Sequence, residues 1–287
     1  MMCAIFGIYG EYNKKLIKAM SKIQRHRGPD ETTYYFNKKF KLSIGMNRLA
    51  VIDKINGKQP MFSWDRKVLC VFNGTIYNFQ ELKKFLEKKK INFYTNSDTE
   101  VLVNSYSYWG NKCFNFFDGM WAVALYDFSN STIKISRDYL GQKPLFYSPI
   151  GGKKFLFSSQ LDGIFKYEYP FEIDKSNLKS YYQFGFTPSP STIYKKLYQV
   201  SPGEIISFNH QMNRRKFWDL TSGADYNIFF KRDNKLQFEK KFHQILKNYL
   251  IADKEPALTL SSGLDSNILR FILKKIGIEL KMFTIGF

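Results

Sequence analysis

Cys3 is the residue whose type and position point most directly to covalent chemistry. It stands almost at the start of the chain and precedes an apolar run, residues 4–8, that predicts a short buried strand. If the two preceding methionines are removed, Cys3 carries a thiol and an α-amine with ordinary pKa values of about 8.5 and about 8. The amine can then take the thiol proton and activate the nucleophile. The alternative interpretation is a buried structural cysteine.

Other polar residues are suited to binding a small charged substrate, although each also has a structural interpretation. Arg48 follows a hydrophobic strand and is either a surface residue or a carboxylate clamp. The pair Asn73-Gly74 is either a turn or the amide and backbone N–H donors of an oxyanion hole. Asp98 is either a helix cap or the acceptor of a substrate ammonium group.

A second kind of site is indicated near the end of the chain. Residues 261–266, Ser-Ser-Gly-Leu-Asp-Ser, lie between a short apolar strand and a helical pattern. Backbone N–H groups at a helix N-terminus, together with serine hydroxyls, can hold a phosphate group. A serine-rich helix cap explains the same residues equally well.

Charge and composition exclude several classes of protein. The net charge of +19 could indicate an anionic partner, but the lysines are scattered and no nucleic-acid-binding motif accompanies them. We therefore interpret them as solvated surfaces and expect no nucleic-acid partner. No apolar run approaches the roughly 18 residues of a membrane span, and we expect neither an export signal nor a membrane contact.

The cysteines and histidines indicate neither a disulfide framework nor a metal site. The 3 cysteines are widely separated, and the 3 histidines have no ligand spacing, so we assign no metal to these residues. Free cysteines of this kind fit a reducing, cytoplasmic location.

The elements that must position these residues alternate between strands and a few helices. We predict strands over residues 41–46, 67–72, 120–128, 132–136, 144–148, 154–158 and 204–208, with the strand 67–72 ending in a turn at Asn73-Gly74. Helices are predicted over residues 78–90, from Ser97 onward, and over 174–182. This pattern favours an α+β layered domain.

The final part of the chain has a different character. A strand at 257–260, a helix at 267–276 and a strand starting at 280 form a βαβ unit, preceded by a helix at 236–252. One such unit cannot cover both faces of a parallel sheet. We therefore divide the chain into a domain at 3–210, a linker at 211–235 and an incomplete domain at 236–287.

Motifs in one consistent order resemble the glutamine-hydrolysing asparagine synthetases, class II amidotransferases with an N-terminal nucleophile. The motifs are Cys-Ala-Ile-Phe-Gly-Ile (3–8), Arg-His-Arg-Gly-Pro-Asp (25–30), Asn-Arg-Leu-Ala-Val-Ile-Asp (47–53), Asn-Gly-Thr-Ile-Tyr-Asn (73–78), Ser-Asp-Thr-Glu (97–100), Arg-Asp-Tyr-Leu-Gly-Gln-Lys-Pro (137–144), Thr-Pro-Ser-Pro-Ser-Thr-Ile (187–193), Ser-Pro-Gly (201–203) and Leu-Ser-Ser-Gly-Leu-Asp-Ser (260–266). The resemblance covers essentially the whole chain. It implies a four-layer α/β/β/α glutaminase domain, followed by the start of a doubly wound α/β ATP-pyrophosphatase domain.

The resemblance also implies roles for the glutaminase residues. Cys3 would attack the side-chain amide of glutamine with its own α-amine as base, while Asn73 and Gly74 hold the oxyanion. Arg48 would bind the α-carboxylate and Asp98 the α-ammonium of glutamine. The rest of the implied glutamine pocket is Leu49, Ala50, Val51, Ile52 and Thr75. No cofactor is implied for this half.

For the second domain, the resemblance implies binding of ATP and Mg²⁺. Leu260 and Ile285 would flank the adenine, Asp265 would help to hold Mg²⁺, and the pyrophosphate would lie on Ser261, Ser262, Gly263, Asp265 and Ser266. The family activates aspartate as β-aspartyl-AMP and adds the ammonia released from glutamine to give asparagine. A homodimer, or a partner chain that supplies the rest of the synthetase half, is also an expectation.

Several positions depart from the family pattern. A retained Met2 would block the amine of Cys3, Ala4 replaces a glycine, and Thr75 replaces a glutamate that contacts glutamine. Ser262 and Asn267 replace a glycine and a serine in the pyrophosphate loop. The chain stops at residue 287, before the later synthetase residues of the family.

We therefore expect an amidotransferase fragment in which only glutamine hydrolysis is active. The alternatives are amidation of another carboxylate, such as one on a surface sugar, and a catalytically dead remnant of the glutaminase fold.

Overall fold

A computed structural model describes residues 2–221 and 234–286. The chain divides into two compact units, residues 1–222 and 223–287. No helix within the two described ranges is long and apolar enough to cross a membrane.

The first unit is built on two antiparallel six-stranded sheets. The first sheet has the strand order β10-β8-β9-β1-β3-β2, with strands β1 (Ala4–Tyr9), β2 (Glu31–Asn37), β3 (Leu42–Arg48), β8 (Phe146–Ile150), β9 (Lys154–Ser158) and β10 (Tyr198–Gln199). The second has the order β12-β11-β7-β6-β5-β4, with strands β4 (Met61–Phe62), β5 (Val68–Ile76), β6 (Gly119–Asp127), β7 (Thr132–Arg137), β11 (Glu204–Asn209) and β12 (Gln211–Lys216).

Helices cover the outer faces of both sheets. The helices of the first unit are α1 (Lys14–Ile23), α2 (Phe79–Lys88), α3 (Asp98–Trp109), α4 (Leu161–Ile164) and α5 (Lys175–Phe184), with a short 3-10 helix at Gly110–Asn115. Helices α1 and α4 pack on the first sheet, and α3 packs on β5 of the second and on α2. The predicted α/β/β/α layering is therefore observed.

Strand β1 shows why the apolar run after Cys3 is continuous. Ile5 and Tyr9 face the core between the two sheets, whereas Phe6 and Ile8 face α1 on the outside. All six residues of the strand are buried. A strand with apolar layers on both faces cannot alternate between polar and apolar residues.

Two sequence-based expectations for this unit need correction, and some of its elements were not predicted. Asn73-Gly74 is not a turn, because both residues continue β5 and pair with Ala122 and Trp121 of β6. Residues 211–216, assigned above to a linker, form the edge strand β12 paired with β11. The helix Lys14–Ile23 and the strand Glu31–Asn37 were not predicted.

The second unit contains α6 (Asn234–Tyr249), β13 (Ala257–Thr259), α7 (Leu264–Lys275) and β14 (Lys281–Phe283). Strands β13 and β14 are parallel, so the predicted βαβ unit is present. Apolar side chains such as Leu264 and Ile285 are 75% and 74% exposed, as expected for a single unit of this type. Of the rest of the predicted linker, residues 222–233 lie outside the described residues, and α6 already begins at Asn234.

The packing around β1 predicts that Phe157→Ala strongly destabilises the first unit. Phe157 is fully buried, and its ring packs against Gly7 of β1, where an added Cβ would lie 2.6 Å from the ring. Emptying such a site typically costs about 3–5 kcal/mol. The free energy of unfolding is measured by urea titration. Tyr94→Ala, at a site 80% exposed, is the control, and equal stability of the two variants would contradict this description of the core.

Candidate active site

Cys3 is held at the end of the first sheet by a backbone segment of the neighbouring strand. The N–H of Leu49, just beyond β3, donates to the Cys3 sulfur at 3.3 Å, and the thiol donates to the Leu49 carbonyl at 3.6 Å. Pairing of β1 with β3 starts at the next residue, Ala4 opposite Asn47. Burial raises the pKa of the thiol, the Leu49 hydrogen bond lowers it, and the Arg48 charge also lowers it.

A cavity of about 170 Å³ opens in front of the thiol. It brings together nine of the residues predicted for the glutaminase site: Cys3, Arg48, Leu49, Val51, Ile52, Asn73, Gly74, Thr75 and Asp98. Ala50 does not line it, because this residue is buried and its N–H donates to the Asp30 carboxylate at 2.9 Å. Met2 also contributes to the lining.

Asn73 carries a buried donor that has no protein partner. The side chain is 1% exposed, and its Nδ2 atom makes no hydrogen bond within the described residues. Buried amide donors are normally paired, since leaving one unpaired costs about 1–3 kcal/mol. An unpaired donor beside a cavity is therefore suited to a ligand oxygen.

Gly74 supplies a second donor at the same edge of β5. The N–H groups of Phe72 and Ile76 point away from β6 and donate to Gln59 Oε1 at 2.7 Å and to Asp98 Oδ2 at 3.1 Å. Because N–H groups two residues apart along a strand point to the same edge, the Gly74 N–H points there as well. Only glycine fits, since a Cβ would lie 2.1 Å from the Met120 carbonyl oxygen.

The Arg48 guanidinium is 5% exposed and already holds the loop that follows it. Its terminal nitrogens donate to the carbonyls of residues 52, 53 and 54 at 3.1, 2.7 and 3.1 Å, and one lies 3.5 Å from the Glu31 carboxylate. A carboxylate that binds Arg48 must therefore share these donors or use the Nε–H group. The Arg48 side chain therefore links the loop at residues 52–54 to the cavity in front of Cys3.

Asp98 reaches the cavity from the first turn of α3. Ser97 caps this helix by accepting the Thr99 N–H at 3.1 Å. The Asp98 carboxylate then lies at the edge of β5, where it accepts the Ile76 N–H. Burial raises the pKa of Asp98 to about 6, although hydrogen bonds from Ile76 and Thr99 and the Arg48 charge act in the opposite direction. A buried carboxylate with this pKa is suited to a cationic ligand group.

Several residues of the cavity were missed by the sequence analysis, among them Gln59 and Lys143. Gln59 ties β5 to α3, because its Nε2 donates to Thr99 Oγ1 at 3.0 Å while its Oε1 accepts from Phe72. Lys143 lines the cavity from the loop after β7. The only signal for Lys143 was its place in the motif at 137–144, to which no role was given.

The predicted phosphate loop lies at the start of α7 in the second unit. Gly263 is the N-cap residue and provides no side-chain cap, while the Ser266 hydroxyl accepts from the Ser261 N–H at 3.1 Å. Asn267 Nδ2 donates to the carbonyls of Ser261 and Gly263 at 3.1 and 2.8 Å. Leu260 and Ile285 follow β13 and β14 at the same edge of this parallel pair. Ser262 lies on the exposed loop before α7, and Asp265 is exposed in the first turn of α7.

Within the described ranges, no group of three or more His, Cys, Asp or Glu side chains could hold a metal ion. Cys3, Cys70 and Cys113 are all free thiols.

Comparison with known proteins shows the family to which this chain belongs. The model of the glutamine amidotransferase domain family matches residues 2–218. The chain belongs to this family.

Relatives of the amidotransferase domain agree with the motif resemblance. The chain is 31% identical to asparagine synthetase (glutamine-hydrolyzing) 1 of Bacillus subtilis, over 100% of the chain and 46% of that protein. It is 32% identical to putative asparagine synthetase (glutamine-hydrolyzing) 2 of Methanocaldococcus jannaschii, over 100% of the chain and 60% of that protein. The chain thus spans about half the length of the curated relatives it matches.

A solved structure confirms the predicted N-terminal-nucleophile amidotransferase fold. Glutamine phosphoribosylpyrophosphate amidotransferase from B. subtilis matches with a TM-score of 0.56 at 18% identity, over 97% of this chain and 65% of that one. The start of an ATP-pyrophosphatase domain stays a prediction.

The raised pKa of Asp98 predicts a pH-dependent contribution to stability. Between the ordinary value of 3.8 and the folded value of about 6, the native state keeps a proton that the unfolded state releases. The contribution of Asp98 therefore falls as pH rises through this window. Asp98→Asn should lack this fall. Across the window, the difference in unfolding free energy between the variant and the wild type should therefore change by about 1–3 kcal/mol.

Urea unfolding at several pH values between about 4 and 7 measures this difference. Asp162→Asn, at an exposed site that does not line the cavity, removes the same formal charge and is the matched control. The interpretation fails if Asp98→Asn and Asp162→Asn change stability in parallel across the whole range.

Proposed function

We propose that the first unit hydrolyses glutamine to glutamate and ammonia with Cys3 as the nucleophile. The observation that carries this proposal is the convergence of the Cys3 thiol and the unpaired Asn73 amide on one cavity. A thiol that shares a cavity with the Asn73 amide and the Gly74 N–H has the arrangement that acyl transfer from an amide requires.

The base in this mechanism is the α-amine of Cys3. Burial keeps the thiol pKa high, so a proton acceptor is needed near neutral pH. The amine becomes available only when the Met2–Cys3 peptide bond is cleaved. We therefore propose that the active form begins at Cys3, which intact-mass measurement of the purified protein tests directly.

The reaction proceeds in two steps. The sulfur attacks the amide carbon of glutamine, the thiol proton passes to the α-amine, and the negatively charged oxygen is held by Asn73 Nδ2 and the Gly74 N–H. The C–N bond then breaks, the α-ammonium returns the proton to the leaving nitrogen, and ammonia departs. Water attacks the resulting thioester, which releases glutamate and restores the thiol.

The ends of the substrate are bound by opposite charges. Arg48 takes the α-carboxylate and Asp98 takes the α-ammonium, and binding of this cation lowers the raised pKa of Asp98. Leu49, Val51, Ile52 and Thr75 form the walls between these groups. Ala50 contributes indirectly, through its hydrogen bond to Asp30.

We further propose that the ammonia serves ATP-dependent amidation of aspartate, as the names of the relatives suggest. The uncapped start of α7 and the hydroxyls of Ser261 and Ser266 fit a phosphate group. Mg²⁺, when bound with ATP, would be held by Asp265, and its remaining ligands would come from phosphates and water. Its role would be to neutralise phosphate charge.

Several expectations stay predictions beside this proposal: the assignment of residues 236–287 to a synthetase domain, the adenine contacts of Leu260 and Ile285, the oligomeric state and the cytoplasmic location. The relatives named above are asparagine synthetases, so the alternative acceptors gain no support from them.

The proposal predicts that Cys3→Ala abolishes glutamine hydrolysis without unfolding the protein. Ammonia and glutamate release are measured on wild-type and variant proteins that both begin at position 3, with circular dichroism as the test of folding. Cys70→Ala is the matched control, because Cys70 is fully buried and does not line the cavity. Ammonia release by the Cys3→Ala variant at the wild-type rate would refute the role of this thiol.

The oxyanion donors predict a separate effect on the chemical step. Asn73→Ala removes the unpaired amide, and we expect kcat to fall by about 10²–10³-fold while KM changes little, since this donor acts on the transition state. Asn104→Ala is a suitable control, because Asn104 is equally buried, also has an unpaired Nδ2 and does not line the cavity. A similar loss of kcat in both variants would argue against an oxyanion hole at Asn73.

A further inference from the structure

Lys143 is a buried cation at the cavity for which the mechanism above has no use. The residue is only 7% exposed and lines the same cavity as Cys3. Throughout the described ranges, its ammonium group makes no hydrogen bond and has no carboxylate within salt-bridge distance. Lysine is almost never this buried unless it is paired, so the position requires an explanation.

The loop that carries Lys143 is fixed by the preceding Arg-Asp pair. Arg137 is buried, and its Nε donates to the Lys143 carbonyl at 2.7 Å while another nitrogen donates to the Val200 carbonyl at 2.9 Å. The Asp138 carboxylate accepts four backbone N–H groups at 2.9–3.1 Å, those of Trp121, Leu140, Gln142 and Lys143. The backbone of Lys143 is therefore held through both its N–H and its carbonyl.

This arrangement is unfavourable for stability by itself. Burial lowers the pKa of Lys143, whereas a negative charge on Cys3 would raise it. Asp138 also attracts the ammonium, but its oxygens already accept the backbone donors named above. The Lys143 ammonium, which has no close anion among the described residues, therefore lies on the same cavity as the Cys3 thiol, which becomes an anion during the reaction.

The other charged groups around Cys3 have different partners. Arg48, at the end of β3, binds the carbonyls of the following loop. Arg27, after α1, donates through Nε to the Cys3 carbonyl at 3.2 Å. Asp98, from α3, opposes the formation of a thiolate. Lys143 differs from both arginines because its charged group has no such acceptor in the part of the chain that the structure describes.

We propose that Lys143 is an electrostatic positioning residue that stabilises the thiolate of Cys3 across the cavity and so speeds its attack on the substrate. The proposal rests on the proposed function for its catalytic consequence, but its effect on the thiol is independent of any substrate. The Arg137-Asp138 pair then has the role of holding this charge in place.

Alkylation of Cys3 by iodoacetamide at several pH values tests the proposal without glutamine. The extent of modification is read by mass spectrometry of the Cys3 peptide, in protein whose first residue is Cys3. An opposite charge in a buried site typically shifts a pKa by about 1–3 units. Lys143→Met should therefore slow alkylation by about tenfold or more near pH 7, and Lys143→Arg should restore most of the rate.

A matched control and a stability measurement separate this role from a structural one. Lys134→Met removes a partly buried lysine on β7 that does not line the cavity, and it should leave Cys3 alkylation unchanged. Lys143→Met should keep or raise the thermal stability, because it removes a buried unpaired charge. If Lys143 had a structural role instead, Lys143→Met would lower the thermal stability.

The outcomes are distinct. Wild-type alkylation rates in Lys143→Met, with the fold intact, overturn the proposal. Unfolding of both Lys143→Met and Lys143→Gln shows a structural role and also overturns it. Slow alkylation in these variants, rescued by Lys143→Arg, supports it even if the wild type releases no ammonia from glutamine, a result that would refute only the proposed function. With glutaminase activity present, kcat/KM should fall in parallel with the alkylation rate.

Discussion

The structure depends on a segment at the very start of the chain being an inner strand of a sheet. Strand β1 lies between β3 and β9 and contributes side chains to both hydrophobic cores. Removing it would separate the first sheet into two parts and uncover α1. Cys3 precedes this strand directly, so the hydrogen bonds that hold the sheet also fix the sulfur against Leu49. The reactive group therefore acquires its rigidity from the most buried part of the fold.

Each layer of the domain contributes a different chemical property to the cavity. The first sheet provides the Cys3 thiol, which we propose as the nucleophile, and Arg48, and the second provides the donors of Asn73 and Gly74. Helix α3 adds the negative charge of Asp98, and the loop after β7 adds the positive charge of Lys143. Because the two sheets share one close-packed core, these groups keep their relative positions without a ligand. Such preorganisation is what makes electrostatic stabilisation effective in a reaction.

The sequence allowed good prediction where one physical cause dominated. Strand β1 was evident because burial on both faces requires a continuous apolar run. Asn73-Gly74 was misinterpreted as a turn because this dipeptide is typical of hairpins. In the fold, the glycine is required instead by the Met120 carbonyl, which belongs to the adjacent strand and is distant in sequence. The environment of Lys143 was equally hidden, since spacing along the chain does not reveal which charges lack a partner.

The short length of β4 has a consequence for ligand selectivity. This strand pairs with β5 at Cys70 and Leu69, and among the residues that the structure describes no strand neighbours the edge of β5 beyond Cys70. Side chains of Gln59 and Asp98 satisfy two of its N–H groups, and the one between them, at Gly74, faces the cavity. A ligand with a carbonyl at this point completes the hydrogen bonding of the sheet as a missing strand would. Analogues that lack this oxygen leave a polar edge buried and unpaired, and such sites reject them far more strongly than an apolar pocket rejects a difference in size.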